Sequence, residues 1–274
     1  MPVKRLVFFP LLWGAAFLVL NAWLLGTSSH GAFLRTYIEL SKVLAFLGAL
    51  AAAAAHQRGE HLRIAWTFVA CSTGFFLVRD LTLAPLGFPA MGETTLLALR
   101  GVLVILGNLS MVTGVFLLAR TWRVAELTLS VPPRGRSAVL LVTTVLALAL
   151  AGPGVVTFGG RVLRGDLTAV SGVASAAGDL VVLILIAPLI LTALALRGGM
   201  FAWPWALLTT STVAWLFYDA FWALGPTLGL SPDEARTAYE LCRGLGCTFS
   251  ASAGLAQRWI ALGGSFKPRG TASS

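Results

Sequence analysis

The feature that most constrains this chain is the layout of its apolar residues. They fall in eight long runs, at 6–26, 33–55, 63–85, 95–119, 137–157, 169–196, 201–224 and 236–262, separated by short polar connections. Each run is long enough to cross a hydrocarbon core, which takes about 20 apolar residues in helical form. Only 11% of the 274 residues are charged and 57% are hydrophobic. An ordinary soluble domain carries roughly 25% charge, so this chain has too little to cover a water-facing surface. A cytosolic enzyme, a disordered chain and a disulfide scaffold are thereby excluded. The expected fold is all-α: a polytopic membrane protein with eight transmembrane helices. The runs at 33–55, 63–85 and 236–262 are the least uniform, because each holds ionisable residues. Lys4 and Arg5 precede the first run as in a signal peptide, but no clear small-residue cleavage site follows, so a retained first helix is expected.

The basic residues between the runs set an orientation. If both termini share one side, that side holds twelve Lys and Arg (Lys4, Arg5, Arg58, Arg63, Arg120, Arg123, Arg134, Arg136, Arg197, Arg258, Lys267 and Arg269). The other side holds four (Arg35, Arg161, Arg164 and Arg236). That asymmetry fits the excess of positive charge on cytoplasmic loops. Both termini are therefore expected in the cytoplasm, with the chain in the inner membrane. The sequence pI near 10.5 reflects these scattered loop charges rather than a nucleic-acid surface. Partners are expected to be the lipid bilayer, a small-molecule or ion ligand, and a signalling or membrane-complex protein, with no nucleic acid.

The two halves of the chain resemble each other. Aligning 66–86 with 205–225 matches Trp66 with Trp205, Ser72 with Ser211, Thr73 with Thr212, Leu77 with Leu216, Asp80 with Asp219 and Ala84 with Ala223. At nearly the same offset Glu39-Leu40 falls on Asp179-Leu180 and Gly48 on Pro188, while Arg100-Gly101 meets Arg243-Gly244 only after a small shift. The expected organisation is two parallel four-helix repeats, 1–125 and 137–262, joined by a cytoplasmic linker at 126–136 with Pro132-Pro133, and a short tail at 263–274. Parallel repeats are related by an axis along the membrane normal.

Apart from Arg35, Arg63, Arg236 and Arg258, counted above with the connections at the run ends, nine ionisable residues lie within the runs: Glu39, Lys42, Arg79, Asp80, Arg100, Asp179, Asp219, Glu240 and Arg243. A charge at the centre of a membrane helix costs about 2.5–3.5 kcal/mol. Facing lipid, the nine would cost on the order of 20–30 kcal/mol, so most must face the interior or an interface. The expected orientation puts them in the outer half of the bilayer. Glu39 with Lys42 and Glu240 with Arg243 are spaced to share a helix face. Cross-helix pairs of Asp80 with Arg100 and of Asp219 with Arg243 are expected. Arg79 and Asp80, being adjacent, should point apart.

Two readings follow. In one, the pairs only hold helices together, as in a structural or assembly subunit. In the other, Glu39, Asp80, Arg100, Asp179, Asp219, Glu240, Arg243, Tyr218 and Tyr239 line a charged cavity that binds a small polar or amphiphilic ligand, coupled to transport or sensing. The excess of acids in the second half leaves room for a cation or a proton. Tyr37, Tyr218, Phe221, Trp222 and Tyr239 form either an interfacial belt or an aromatic cage. Trp66, Trp203, Trp205 and Trp259 are expected at the cytoplasmic interface.

No catalytic signature is present: no HExxH, Walker A loop, dinucleotide fingerprint or Ser-His-Asp set. Cys71, Cys242 and Cys247 form no CxxC pair. His30, His56 and His61 lie outside the depths of the runs, which argues against a bis-histidine haem inside the membrane. No cofactor is implied. Asn108-Leu109-Ser110 matches a glycosylation pattern but lies within a run, where it carries no meaning.

Overall fold

The computed structural model describes residues 4–81, 92–124, 132–196, 199–225 and 227–263. Eight α-helices follow one another: α1 Lys4–Leu24, α2 His30–Ala54, α3 His61–Leu81, α4 Glu93–Val124, α5 Pro133–Leu163, α6 Val170–Ala195, α7 Ala202–Leu224 and α8 Pro232–Ala261. A single 3-10 turn, Leu167–Ala169, precedes α6, and no strand occurs among the described residues. Each of the eight expected runs is largely helical over its described residues. Most of the expected linker at 126–136, most of the tail after 263, and Ala84 lie outside the described residues.

Six helices, α1 to α6, are long and apolar enough to cross a membrane. The other two are more polar along their described length, α7 through Thr209, Thr210, Ser211, Thr212 and Asp219 and α8 through its charged residues from Asp233 to Arg258. The hydroxyls of Ser211 and Thr212 in α7 are inside the bundle. The inner stretch of α8 is a row of small buried residues, Ser250, Ala251, Ser252, Ala253 and Gly254.

Helix packing forms a closed ring. α2 packs on α3, α3 on α4, α4 on α6, α6 on α7, α7 on α8 and α8 back on α2. α1 lies outside against α8 and α2, and α5 lies outside against α6. The main apolar core joins Trp66, Val69, Leu118, Leu189, Trp205 and Phe249. Trp66 and Trp205 are buried core residues, in one cluster with side chains of α2, α4, α6 and α8. A second cluster packs Phe17 of α1 on Leu34, Tyr37 and Ile38 of α2, with Tyr37 stacked on Trp13 at 5.7 Å. This assigns Tyr37 to the α1–α2 seam rather than to an aromatic cage.

The tightest seam is α2 against α8. A Cβ added at Gly48 would lie 2.6 Å from both Cα and O of Ala251, and Gly254 meets the Gly48 backbone in turn. Small residues let helix backbones approach this closely in a membrane, where packing rather than hydrophobic burial drives association.

The ends of two helices are fixed by acids. Ser231 caps α8: its Oγ accepts from the Glu234 amide at 3.3 Å, and the Glu234 carboxylate accepts from the Ser231 amide at 2.8 Å. Between α5 and α6, Asp166 accepts from the Thr168 amide at 3.1 Å and from Arg161 Nε and Nη2 at 2.9 and 2.7 Å. The Thr168 bonds, then those of Arg161, hold the Asp166 carboxyl below the usual range. A carboxylate whose folded pKa is depressed stabilises the fold above its unfolded pKa, and that contribution is lost as pH falls through the folded pKa. The 164–169 turn should therefore loosen in acid, seen as pepsin nicking there. Asp166→Asn should be nicked equally at every acid pH tested, and an unchanged acid dependence in that variant would refute the assignment.

Candidate functional site

Two hollows lie along the ring, one above the other. The first is a vestibule of about 450 Å³ at the end of the bundle that carries the α1–α2 and α7–α8 connections. Its rim holds Gly31, Arg35 and Arg236, which are exposed, and its floor holds Arg79, Asp80, Glu240 and Arg243, with Glu39 on the wall. The second is a central cavity of about 190 Å³, lined by all six ring helices. It includes Lys42 of α2, Thr73 of α3, Asn108 of α4, Asp179 of α6, Tyr218 and Asp219 of α7, and Arg243 and Ser250 of α8. Arg79 and Arg243 line both hollows, so they form the partition between them.

That partition is an ion-pair cluster centred on Asp80. Its carboxylate accepts from Lys42, and from Arg79 Nε at 2.7 Å, with Arg79 Nη2 at 2.6 Å. Arg243 Nη2 lies 3.6 Å from the same carboxylate, and Arg243 Nη1 lies 3.4 Å from Glu240. The cluster is well inside the protein: the side chain of Lys42 is 4% exposed and that of Asp80 14%. Arg79 also stacks over Phe76 at 5.3 Å and Arg243 over Tyr218 at 5.9 Å, which positions both guanidinium groups from their apolar side.

This arrangement alters the expected pairing in four ways. Asp80 does not pair with Arg100; the Arg100 Nε is buried with no partner among the described residues, and Arg100 lines neither hollow. Arg243 turns to Asp80 and Glu240 rather than to Asp219. Lys42 bonds Asp80 across the α2–α3 seam, not Glu39 on its own helix. Arg79 and Asp80 do not point apart; the guanidinium folds back onto its neighbour's carboxylate. The expected Glu240–Arg243 contact is present at 3.4 Å.

The remaining expected residues divide by depth. Glu39 and Glu240 face the vestibule, and Asp179, Asp219 and Tyr218 face the central cavity. Tyr239 lines neither but holds Tyr218 edge-on at 5.9 Å. Lys42, Arg79, Asn108 and Ser250 belong to the site although sequence reasoning did not single them out as ligand-binding. Lys42 carried a signal, being the only lysine within any run. The polar Asn108 and Ser250 carried none, since their importance depends on which face of α4 and α8 turns inward.

The cavity lining also has a regular numbering. Val69 and Leu208, Thr73 and Thr212, Phe76 and Trp215, Arg79 and Tyr218, Asn108 and Cys247, and Met111 and Ser250 all line it, and each pair is separated by 139 positions. Gly107 packs against Phe76, and Gly246, again 139 positions on, packs against Trp215. In this register Arg100 corresponds to Tyr239 and not to Arg243. No group of three or more metal-binding side chains occurs among the described residues. No family model, curated protein or solved structure matches the chain, so its activity has to be argued from this site alone.

Proposed function

We propose that this chain is a multi-pass inner-membrane transporter for a small polar solute bearing an acidic group, with the vestibule facing outward and both termini cytoplasmic. The observation that carries the reading is the stacking of two hollows on either side of one ion-pair partition. The vestibule has four bases against three acids, which suits a solute carrying a negative group with or without a positive one. At about 450 Å³ it falls within the roughly 300–1,000 Å³ of small-molecule sites. A carboxylate or phosphate arriving there meets Arg79 and Arg243, and exchange with Asp80 for those partners would open the partition.

The duplication supports the same reading. All eight helices are taken to span, as two parallel four-helix repeats. The ring maps onto itself when each helix is advanced by four: the α2–α8 contact becomes the α6–α4 contact, and α3–α4 becomes α7–α8. The cavity then lies on the axis between two equivalent halves, where rocking of one half against the other gives alternating access.

The native thiol Cys247, buried and lining the cavity, provides the test. With Cys71→Ser and Cys242→Ser, an impermeant thiol reagent is applied to either face of reconstituted vesicles. A transporter exposes Cys247 to both faces in turn, and reaction from each is the expected result. A sensor that only binds its ligand outside gives reaction from the vestibule face alone. Reaction from neither face is what a purely structural subunit gives, and would end the transport reading.

A further inference from the structure

The central cavity contains two acids that the partition does not neutralise. Asp179 and Asp219 both line it, yet neither has an ion pair or hydrogen bond among the described residues. Both are partly enclosed, and two carboxylates facing one interior cavity without a counter-charge are unfavourable, so the cavity favours a positive charge supplied from outside the chain.

The comparison between halves says what is missing. Asp80 of α3 has Lys42 and Arg79 as fixed counter-ions. At the equivalent positions of the second half, 140 and 139 residues on, stand Val182 and Tyr218. The acid recurs in the second half without either cation. The bases that do line the cavity are committed elsewhere, to Asp80 and Glu240.

Two further oxygen groups point to a ligand. Ser250 is 6% exposed, lines the cavity, and its hydroxyl has no partner among the described residues. Asn108 is 7% exposed and lines the cavity too; its amide nitrogen donates to the Val104 carbonyl at 2.9 Å, leaving its oxygen without a donor among the described residues. At about 190 Å³ the cavity holds a few waters, each occupying about 30 Å³, and is small for an organic solute.

We infer that the central cavity is a binding site for a small monovalent cation, a proton or Na⁺, held between Asp179 and Asp219 with Ser250 and Asn108 supplying neutral oxygen. Two carboxylates with no third metal-binding side chain suit a single charge better than a divalent metal. The vestibule then takes the solute and the cavity takes the ion that drives it. The driving role rests on the transporter reading, whereas the binding of a cation does not.

The experiment uses the full-length protein purified in detergent, with no solute present. Binding of radioactive sodium is measured at neutral pH, and in sodium-free buffer the infrared band of a protonated carboxyl group is recorded. One of the two signals is expected: saturable sodium binding identifies Na⁺, and the carboxyl band identifies a proton. Asp179→Asn with Asp219→Asn should weaken sodium binding at least tenfold or remove the band, while the surface variant Glu60→Gln keeps the signal. If the double variant does not fold, Asp219→Asn alone carries the same expectation. Absence of both signals from the wild type, or a signal that the Asn variant retains in full, overturns the assignment. Failure of Cys247 labelling alongside a positive cation signal would remove transport and leave the site standing.

Discussion

Asp80→Ala is expected to lower stability by about 3–5 kcal/mol, the usual cost of removing one partner from a buried ion pair. The reason is what stays behind. Lys42 is 4% exposed and bonds Asp80, and it has no other ion pair among the described residues. Arg79 and Arg243 lose the same acceptor, although Arg243 retains Glu240 at 3.4 Å. Three like charges would then share one partition. The check is unfolding in mixed micelles followed by helical circular dichroism. Lys42→Met combined with Asp80→Asn should recover the share of the loss that comes from Lys42, because that buried charge is removed together with its partner, while Arg79 and Arg243 still lack the Asp80 carboxylate. A cycle in which the two changes simply add would show that the pair is not coupled. The same double variant separates structure from function. It should recover the Lys42 share of the stability while letting an impermeant reagent reach Cys247 from the vestibule face at least tenfold faster than in the wild type. Unchanged labelling would mean that the cluster holds helices together without acting as a barrier.

Gly48→Leu is expected to destabilise at the upper end of the roughly 1–3 kcal/mol typical of overpacking, and to do so by separating α2 from α8. Even a methyl group at this position would lie 2.6 Å from the Ala251 backbone. Backbone cannot swing aside as a flexible side chain can, so one helix must shift against the other. That shift would reach the cavity, because Lys42 and Ala45 on α2 and Ser250 on α8 all line it. Leu47, one residue earlier, is exposed, and Leu47→Ala should stay within about 0.5 kcal/mol. Equal effects at the two positions would refute the close seam.

The two readings offered by the sequence for its buried charges turn out not to be exclusive in geometry. Asp80 with Lys42, Arg79 and Arg243 is the satisfied network that a structural role requires. Asp179 and Asp219 are the unsatisfied pair that a ligand site requires. Glu39 and Glu240, which the sequence grouped with both, face the vestibule instead. What distinguishes Asp80 from Asp219 is their surroundings: a lysine and an arginine beside the first, a valine and a tyrosine at the corresponding places beside the second.

The sequence by itself determined the eight helices and their approximate ends, because the length of an apolar run and the turn residues between runs are local properties. It also determined that charges inside those runs must avoid lipid, since that penalty is independent of fold. Only the tertiary structure decided which partners they find. Arg100 and Arg243 look alike in sequence, each followed by glycine near the start of its helix, yet one lines neither hollow and the other joins the partition. Which face of a helix turns inward, and which neighbour stands across from it, depends on the order of helices around the ring. That order comes from the packing of α2 on α8 and α4 on α6, contacts between residues up to about two hundred positions apart along the chain, which no local pattern encodes.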